Sequence, residues 1–303
     1  MKKDVRLKKF IKDNYAGYLA VLPLVLGIII FYGYPVICSL IYSFHDYNLF
    51  RGTLGKVTLD NFKEMFTVNS SMFFQSLKIT FVYTAVMVSV NMFFGFLIAF
   101  MTNRKSKAMV VYRLLLYLPC LIPTVVSGII WQYVADPYYG IGNAILKEFK
   151  LPVYGFFNNP DTSLPSIIMF SCFGVTSSIF IWLSSLKSIP TSLYEAAEME
   201  GCNGLAKLVH VTLPMCTPFI IYNLLTSVIG ALQTFGSVFT ITGGTAGMEN
   251  SLLFLGIYIY KEAFSSFNIS YASALSWVLF LITAVISGIL LKTSKWVYYG
   301  EDV

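Results

Sequence analysis

Six stretches of the chain are apolar for long enough to cross about 30 Å of hydrocarbon as helices. They run 17–42, 79–102, 114–135, 164–186, 213–240 and 271–291, and none holds Asp, Glu, Lys, Arg or His. Runs of that length, separated by polar segments, predict an all-α membrane protein with six transmembrane helices. The polar segments 103–113 and 187–212 are short, whereas 45–75, 136–163 and 241–270 are longer. Of the longer ones, 136–163 is turn-rich, with Asp136-Pro137, Gly140, Gly142 and Asn158-Asn159-Pro160. An amphipathic piece around Leu59-Asp60-Asn61-Phe62 predicts a short helix in the first, and 251–264 predicts a short helix on the outer surface in the last.

Composition agrees with a membrane chain. The protein is 56% hydrophobic and 12% charged, with mean hydropathy +0.70, where a soluble domain carries about 25% charged residues. Fourteen of the 21 Lys and Arg fall in 1–14, 103–113, 187–212 and 292–303, and seven fall in the longer segments between the other span ends. Cationic residues mark the cytoplasmic side, so both termini and the 187–212 segment are expected there. The net charge of +6 is then a topology signal and not a nucleic-acid footprint. The first apolar run is too long for a signal core and reads as an uncleaved span. The expected organisation is a cytoplasmic N-terminus at 1–14 and one transmembrane domain at 15–303. The five cysteines are scattered, without metal-ligand spacing, and read as small packing residues. His45 reads as a solvated loop residue.

The segment 187–212 has the pattern helix, turn, helix. Ser192 and Glu195 have capping-box spacing, and Pro190 suits a first turn. Glu195, Glu198 and Glu200 sit toward the helix N-terminus, where the macrodipole favours anions. Gly201 supplies a left-handed stop, after which 205–210 can form a second short helix. The alternative is a solvated loop with helical character. Glu195-Ala196-Ala197, three residues, Gly201, nine residues and Val211-Thr212-Leu213-Pro214 resemble the EAA loop of binding-protein-dependent ABC importer permeases. Val211 replaces the usual Ile, and Glu200-Gly201-Cys202 replaces Asp-Gly-Ala. Asp60-Asn61-Phe62, Thr242-Gly243-Gly244 and the ending Trp296-Val297-Tyr298-Tyr299 extend the likeness along the chain, toward the sugar-uptake branch (maltose, lactose and multiple-sugar type).

Two spans carry polar stripes. In the fourth, Ser171, Gly174, Ser178 and Ser185 share a face, which suits close helix packing or the lining of a polar passage. In the fifth, Asn223, Ser227, Gly230 and Thr234 fall at i, i+4, i+7 and i+11, flanked by Tyr222, Thr226 and Gln233. Such a face serves interhelical hydrogen bonding or a substrate path, and the path is preferred, because amides, hydroxyls and nearby aromatics such as Phe235 and Phe239 suit sugars. Pro119 and Pro123 bracket an expected bend in the third span.

No P-loop occurs anywhere, and no intramembrane carboxylate or histidine offers a proton relay. Energy must come from another polypeptide, and the chain is not expected to be an enzyme. The resemblance implies the rest. Glu195, Ala196, Ala197, Gly201, Leu213 and Pro214 would couple to two ATP-binding cassette subunits, which hold the ATP and Mg, and no cofactor or metal would lie on this chain. A second homologous permease would complete the path, an extracytoplasmic solute-binding protein would deliver the solute, and Gln233, Thr234 and Phe235 would join Asn223, Ser227 and Gly230 along it. A neutral oligosaccharide is the expected cargo, with glycerol phosphate or another small solute as the alternative. A passive channel or scaffold would leave the EAA spelling unexplained, and a membrane-embedded transferase would need an Asp/Glu/His cluster that the chain lacks.

Overall fold

A single helix of 33 residues, α3 (Ser70–Thr102), forms the axis against which the helices of 160–188 and 217–232 pack. At 1.5 Å per residue it is about 50 Å long. It starts nine residues before the expected 79, because 70–78 hold no Pro or Gly to stop a helix. The computed structural model describes residues 15–104 and 106–294. The basic residues of 1–14, Lys105 and the 295–299 ending lie outside them.

Before α3 come α1 (Tyr15–Ile28) and α2 (Tyr34–Ser43), joined by a π turn at Ile29–Gly33. Tyr34 N–H reaches back five residues to Ile29 O, directly before Pro35, so the widened turn absorbs the donor that proline lacks. An antiparallel hairpin follows, β1 (His45–Asn48) and β2 (Thr53–Val57). It departs from the all-α expectation and takes His45 into a strand, half-buried, with Nδ1 2.7 Å from Ile41 O. Gly55 is required there, because a Cβ would lie 2.7 Å from Asp46 O. The expected short helix is present as Asp60–Glu64. Its buried Asn61 donates through Nδ2 to Ser43 O at 3.0 Å and His45 O at 3.1 Å, tying the hairpin to the end of α2.

Three consecutive apolar stretches after α3 are broken. The third is α4 (Lys107–Leu121) and α5 (Thr124–Val134), bent by 95°. Ile122, extended at φ −81° and ψ 123°, precedes Pro123, whose ring disfavours helix in the residue before it. The fourth is α6 (Pro160–Cys172) and α7 (Thr176–Ser188), separated by a 3-10 turn at Phe173–Val175. The fifth is α9 (Thr217–Leu232) and α10 (Gly236–Thr242), separated by the non-helical residues 233–235, with α8 (Thr191–Met199) lying before it in the 187–212 segment. The last helix is α11 (Ile269–Thr293). Among the described residues, four helical segments are long and apolar enough to span a membrane, and five if the bent third pair counts as one.

Two buried apolar clusters lie at opposite ends of α3. One joins its first half (Phe73, Ile79, Tyr83, Met87) to α6, α10 and the start of α11. Its centre is Leu252 to Leu255 with Ile257 and Tyr258, all at 0% exposure. The first part of the helix expected at 251–264 is therefore buried, with Leu255 N–H bonded to Thr80 Oγ1 at 3.0 Å, while Phe264 at its end is exposed. The apolar run 252–255 draws its start into the core, and Lys261 and Glu262 at the far end stay half-buried. The other cluster joins Ala99 of α3 to Ile179, Trp182, Leu183 and Leu186 of α7, and to Cys216.

Candidate functional site

The 187–212 segment folds as a knob at the second cluster. Helix α8 begins after Pro190, which occupies the N-cap position, and no side-chain cap forms there. The expected capping box is therefore absent, since Ser192 lies inside the first turn and not at its head. The end of α8 matches expectation. Gly201 has φ +78°, its N–H bonds Glu198 O at 3.0 Å, and Cys202 N–H bonds Ala197 O at 2.9 Å. These are the two bonds of a Schellman stop. The second helix is Gly204–Lys207, shorter than expected, capped by Asn203 Oδ1 accepting from Ala206 N–H at 2.8 Å. A π turn at Leu208–Thr212 follows, and Leu213 N–H bonds Leu208 O just before Pro214, the same device seen ahead of Pro35.

Lys207 Nζ lies 2.6 Å from Glu198 Oε1, tying the two knob helices together. Tyr194 and Thr212 hydroxyls pair at 2.9 Å. Tyr194, Val211 and Met215 pack on the Trp182–Leu186 face of α7, so the knob is fixed to the spans and not loose. Glu195, Ala196 and Gly201 are exposed, Ala197 is buried, and Leu213 and Pro214 are half-buried. Of the two motif alanines, Ala196 faces outward and Ala197 belongs to the chain's own packing. Met199 and Leu205, 90% and 70% exposed, leave apolar surface on the knob.

The polar stripe of α9 faces a cavity of about 380 Å³. Asn223, Ser227, Gly230 and Thr234 all line it, as do Tyr222 and Thr226. From the fourth stretch come Ser171, Gly174 and Ser178, whereas Ser185 is fully buried near the knob. The stripe therefore divides between the cavity wall and helix packing. Ser178 also abuts Gly95, where a Cβ would approach its Oγ to 2.6 Å. The third wall is α3, through Tyr83, Met87 and Asn91. Sequence reasoning missed these, although their i, i+4, i+8 spacing and the lone Asn91 in an apolar run were a signal. No Asp, Glu, Lys, Arg or His lines the cavity.

Gln233 and Phe235 are not among the lining residues. Gln233 is exposed. Phe235, at φ −142° and ψ −59°, packs its ring with Phe239 and Tyr260 at 5.2 and 5.5 Å. A second, mostly apolar cavity of about 690 Å³ lies in the elbow of α4 and α5, with Ser171 and Gly174 as the shared wall. Gln132 of α5 donates to Thr240 O and Ile241 O at 3.1 and 2.7 Å and so clamps α5 to α10.

The family model for the binding-protein-dependent transport system inner membrane component matches residues 91–295. The chain belongs to that family. It is an ABC transporter permease, a multi-pass inner-membrane protein of a non-catalytic kind. The permease is 37% identical to a probable ABC transporter permease protein of Bacillus subtilis, YesP, over 99% of this chain and 96% of that protein. It is 30% identical to the lactose transport system permease protein LacF of Rhizobium radiobacter, over 93% and 94%. The arabinooligosaccharides transport system permease protein AraP of Bacillus subtilis is 28% identical, over 94% and 90%. A crystal structure of a bacterial ABC transporter involved in the import of the acidic polysaccharide alginate has the same fold, with a TM-score of 0.86 at 21% identity, covering 97% of this chain and 100% of that one.

Proposed function

We propose that this permease carries a neutral oligosaccharide through the cavity beside α9, as one of two homologous subunits in an importer. The observation that carries the reading is the lining itself: amide, hydroxyl and phenol groups with no formal charge among them. Hydroxyl-rich solutes are recognised by such groups, whereas an anion would gain from a cation that the wall does not offer. Relatives named for lactose, multiple-sugar and arabinooligosaccharide transport support the cargo class.

The remaining parts of the reading follow from the permease family and the charge pattern. The two halves of the third and fourth stretches each form one broken span, giving six. The basic ends and the knob face the cytoplasm, where Glu195, Ala196 and Gly201 meet an ATP-binding cassette subunit that supplies the ATP and Mg. Leu213 and Pro214 carry its motion into α9. The hairpin, 136–163 and 241–270 face an extracytoplasmic binding protein. The test is ATPase activity of the reconstituted complex with loaded binding protein, across neutral oligosaccharides, glycerol phosphate and amino acids. Stimulation by one neutral sugar is the expected result. Stimulation only by an anion or an amino acid overturns the cargo class.

A further inference from the structure

Tyr83 stands at the end of the cavity away from the knob, and its hydrogen bond differs in kind from those of its neighbours. Its ring is held in place, with the residue 5% exposed and the ring edge-on to fully buried Phe254, centroids 5.0 Å apart. Its hydroxyl donates to Ser171 Oγ at 2.8 Å, bridging α3 to the last turn of α6. By contrast, Asn223 and Thr226 bond carbonyls of their own chain four residues back. Bonds of that local kind are indifferent to helices moving apart, while the Tyr83–Ser171 bond exists only when α3 and α6 are close. Ser171 lies two residues before the turn at Phe173–Val175 and lines both cavities, which places it in a thin wall beside a break. Thr234, in the break of the fifth stretch, lines the same space, and its hydroxyl also meets that of Tyr83.

We infer that the Tyr83–Ser171 hydrogen bond is a latch that closes the cavity at the end away from the knob, and that a polyhydroxylated solute opens it by exchanging hydrogen bonds with both hydroxyls. The inference rests on reading this cavity as the solute path. One neutral hydrogen bond biases an equilibrium without locking it. A polyol also replaces it like for like, since each sugar hydroxyl both donates and accepts. The latch thus selects for hydroxyl-bearing cargo at the first point of contact, and an apolar solute has nothing to offer in exchange.

The test uses the whole complex in proteoliposomes, without ATP or solute, and a reporter cysteine in the cavity, Ser227→Cys. A membrane-impermeant methanethiosulfonate reagent is added from the side opposite the knob, and the same complex without the reporter gives the background from native cysteines. Tyr83→Phe keeps the ring and its packing, and Ser171→Ala removes the acceptor from the other helix. Each is expected to raise the labelling rate about fivefold, the size of one neutral hydrogen bond. The double variant should be no faster than Tyr83→Phe alone, because that substitution already removes the bond to Ser171. Unchanged rates in both single variants overturn the latch, and so does a double variant in which the two factors multiply. The readout needs no solute, so it separates from the cargo assay. A flat labelling response with sugar-stimulated ATPase removes only the latch, while faster labelling without sugar stimulation removes only the cargo reading.

Discussion

Gly201 allows backbone strain, space and charge to be separated at the knob. Its φ of +78° is left-handed, and a Cβ built there meets nothing within 4 Å. Replacement by Ala therefore costs only the left-handed backbone term, about 1–2 kcal/mol, or a factor of about 5 to 30 in the population of the formed stop. Asn tolerates that conformation better than Ala, so Gly201→Asn should lie between Gly and Ala. Gly201→Asp has the same backbone tolerance but adds an anion to a segment already holding Glu195, Glu198 and Glu200. The assay is co-purification of the ATPase subunits, with ATPase stimulation by loaded binding protein in the reconstituted complex. The expected order is Gly, then Asn, then Ala, with every variant present in the membrane and Asp uncoupled beyond Asn. Equal coupling for Asn and Ala would refute the strain argument. Normal recruitment of the ATPase by Gly201→Asp would refute the docking role of the knob.

Other perturbations follow from single contacts. Asn61→Ala leaves Ser43 O and His45 O without their shared donor, and a loss of about 2–4 kcal/mol is expected by denaturation in detergent. Gly95→Ala drives a Cβ to 2.6 Å from Ser178 Oγ and 3.1 Å from Trp182 Nε1. It should lower the melting temperature by an amount corresponding to about 1–3 kcal/mol, while Gly204→Ala, in open space, stays within about 0.5 kcal/mol of wild type. Burial pushes the Glu262 carboxyl above its usual 4.5, with Glu64 adding to it and Ser266 and Lys261 opposing. The stabilisation from its protonated form is complete below pH 4.5 and is lost as pH rises through the raised folded value. Glu262→Gln should remove that decline and be at least as stable at pH 7 in a thermal melt, whereas a steeper decline in the variant would contradict the burial argument.

The parts legible in the sequence were those fixed by local rules. Pro123 marked the third-span bend because the residue before a proline resists helix, and Gly201 marked the stop of α8 because few other residues adopt φ +78° at low cost. The α9 stripe from Asn223 to Thr234 was visible through its period, and all four positions face one cavity. What was not legible depended on partners distant in sequence. The break at 233–235 has no proline. It coincides with Phe235 packing on Tyr260 and with Gly256 coming so close to Thr234 O that a Cβ there would lie 3.1 Å away. The burial of 252–255 likewise depends on Thr80 and Tyr83 across α3, which no local pattern names.

The three breaks lie together in space. Ile122 and Thr124 from the first, Phe173 and Gly174 from the second, and Ser237 beyond the third all line the elbow cavity, and Gly174 and Thr234 line the polar one. On one side of this level, α5 and α10 are clamped by Gln132 and by Gly128 against Thr240. On the other, α7 and the knob share the cluster around Trp182. Among the described residues, α3 runs unbroken from one block to the other. On the proposed coupling, movement of the knob would pass through α9 to a level where three of the surrounding spans have no intact hydrogen-bond ladder to resist it, and that level is where the uncharged cavity lies. Of these breaks only the one at Pro123 shows in the sequence, and under the proposed function all three set where movement of the knob would reach the cavity.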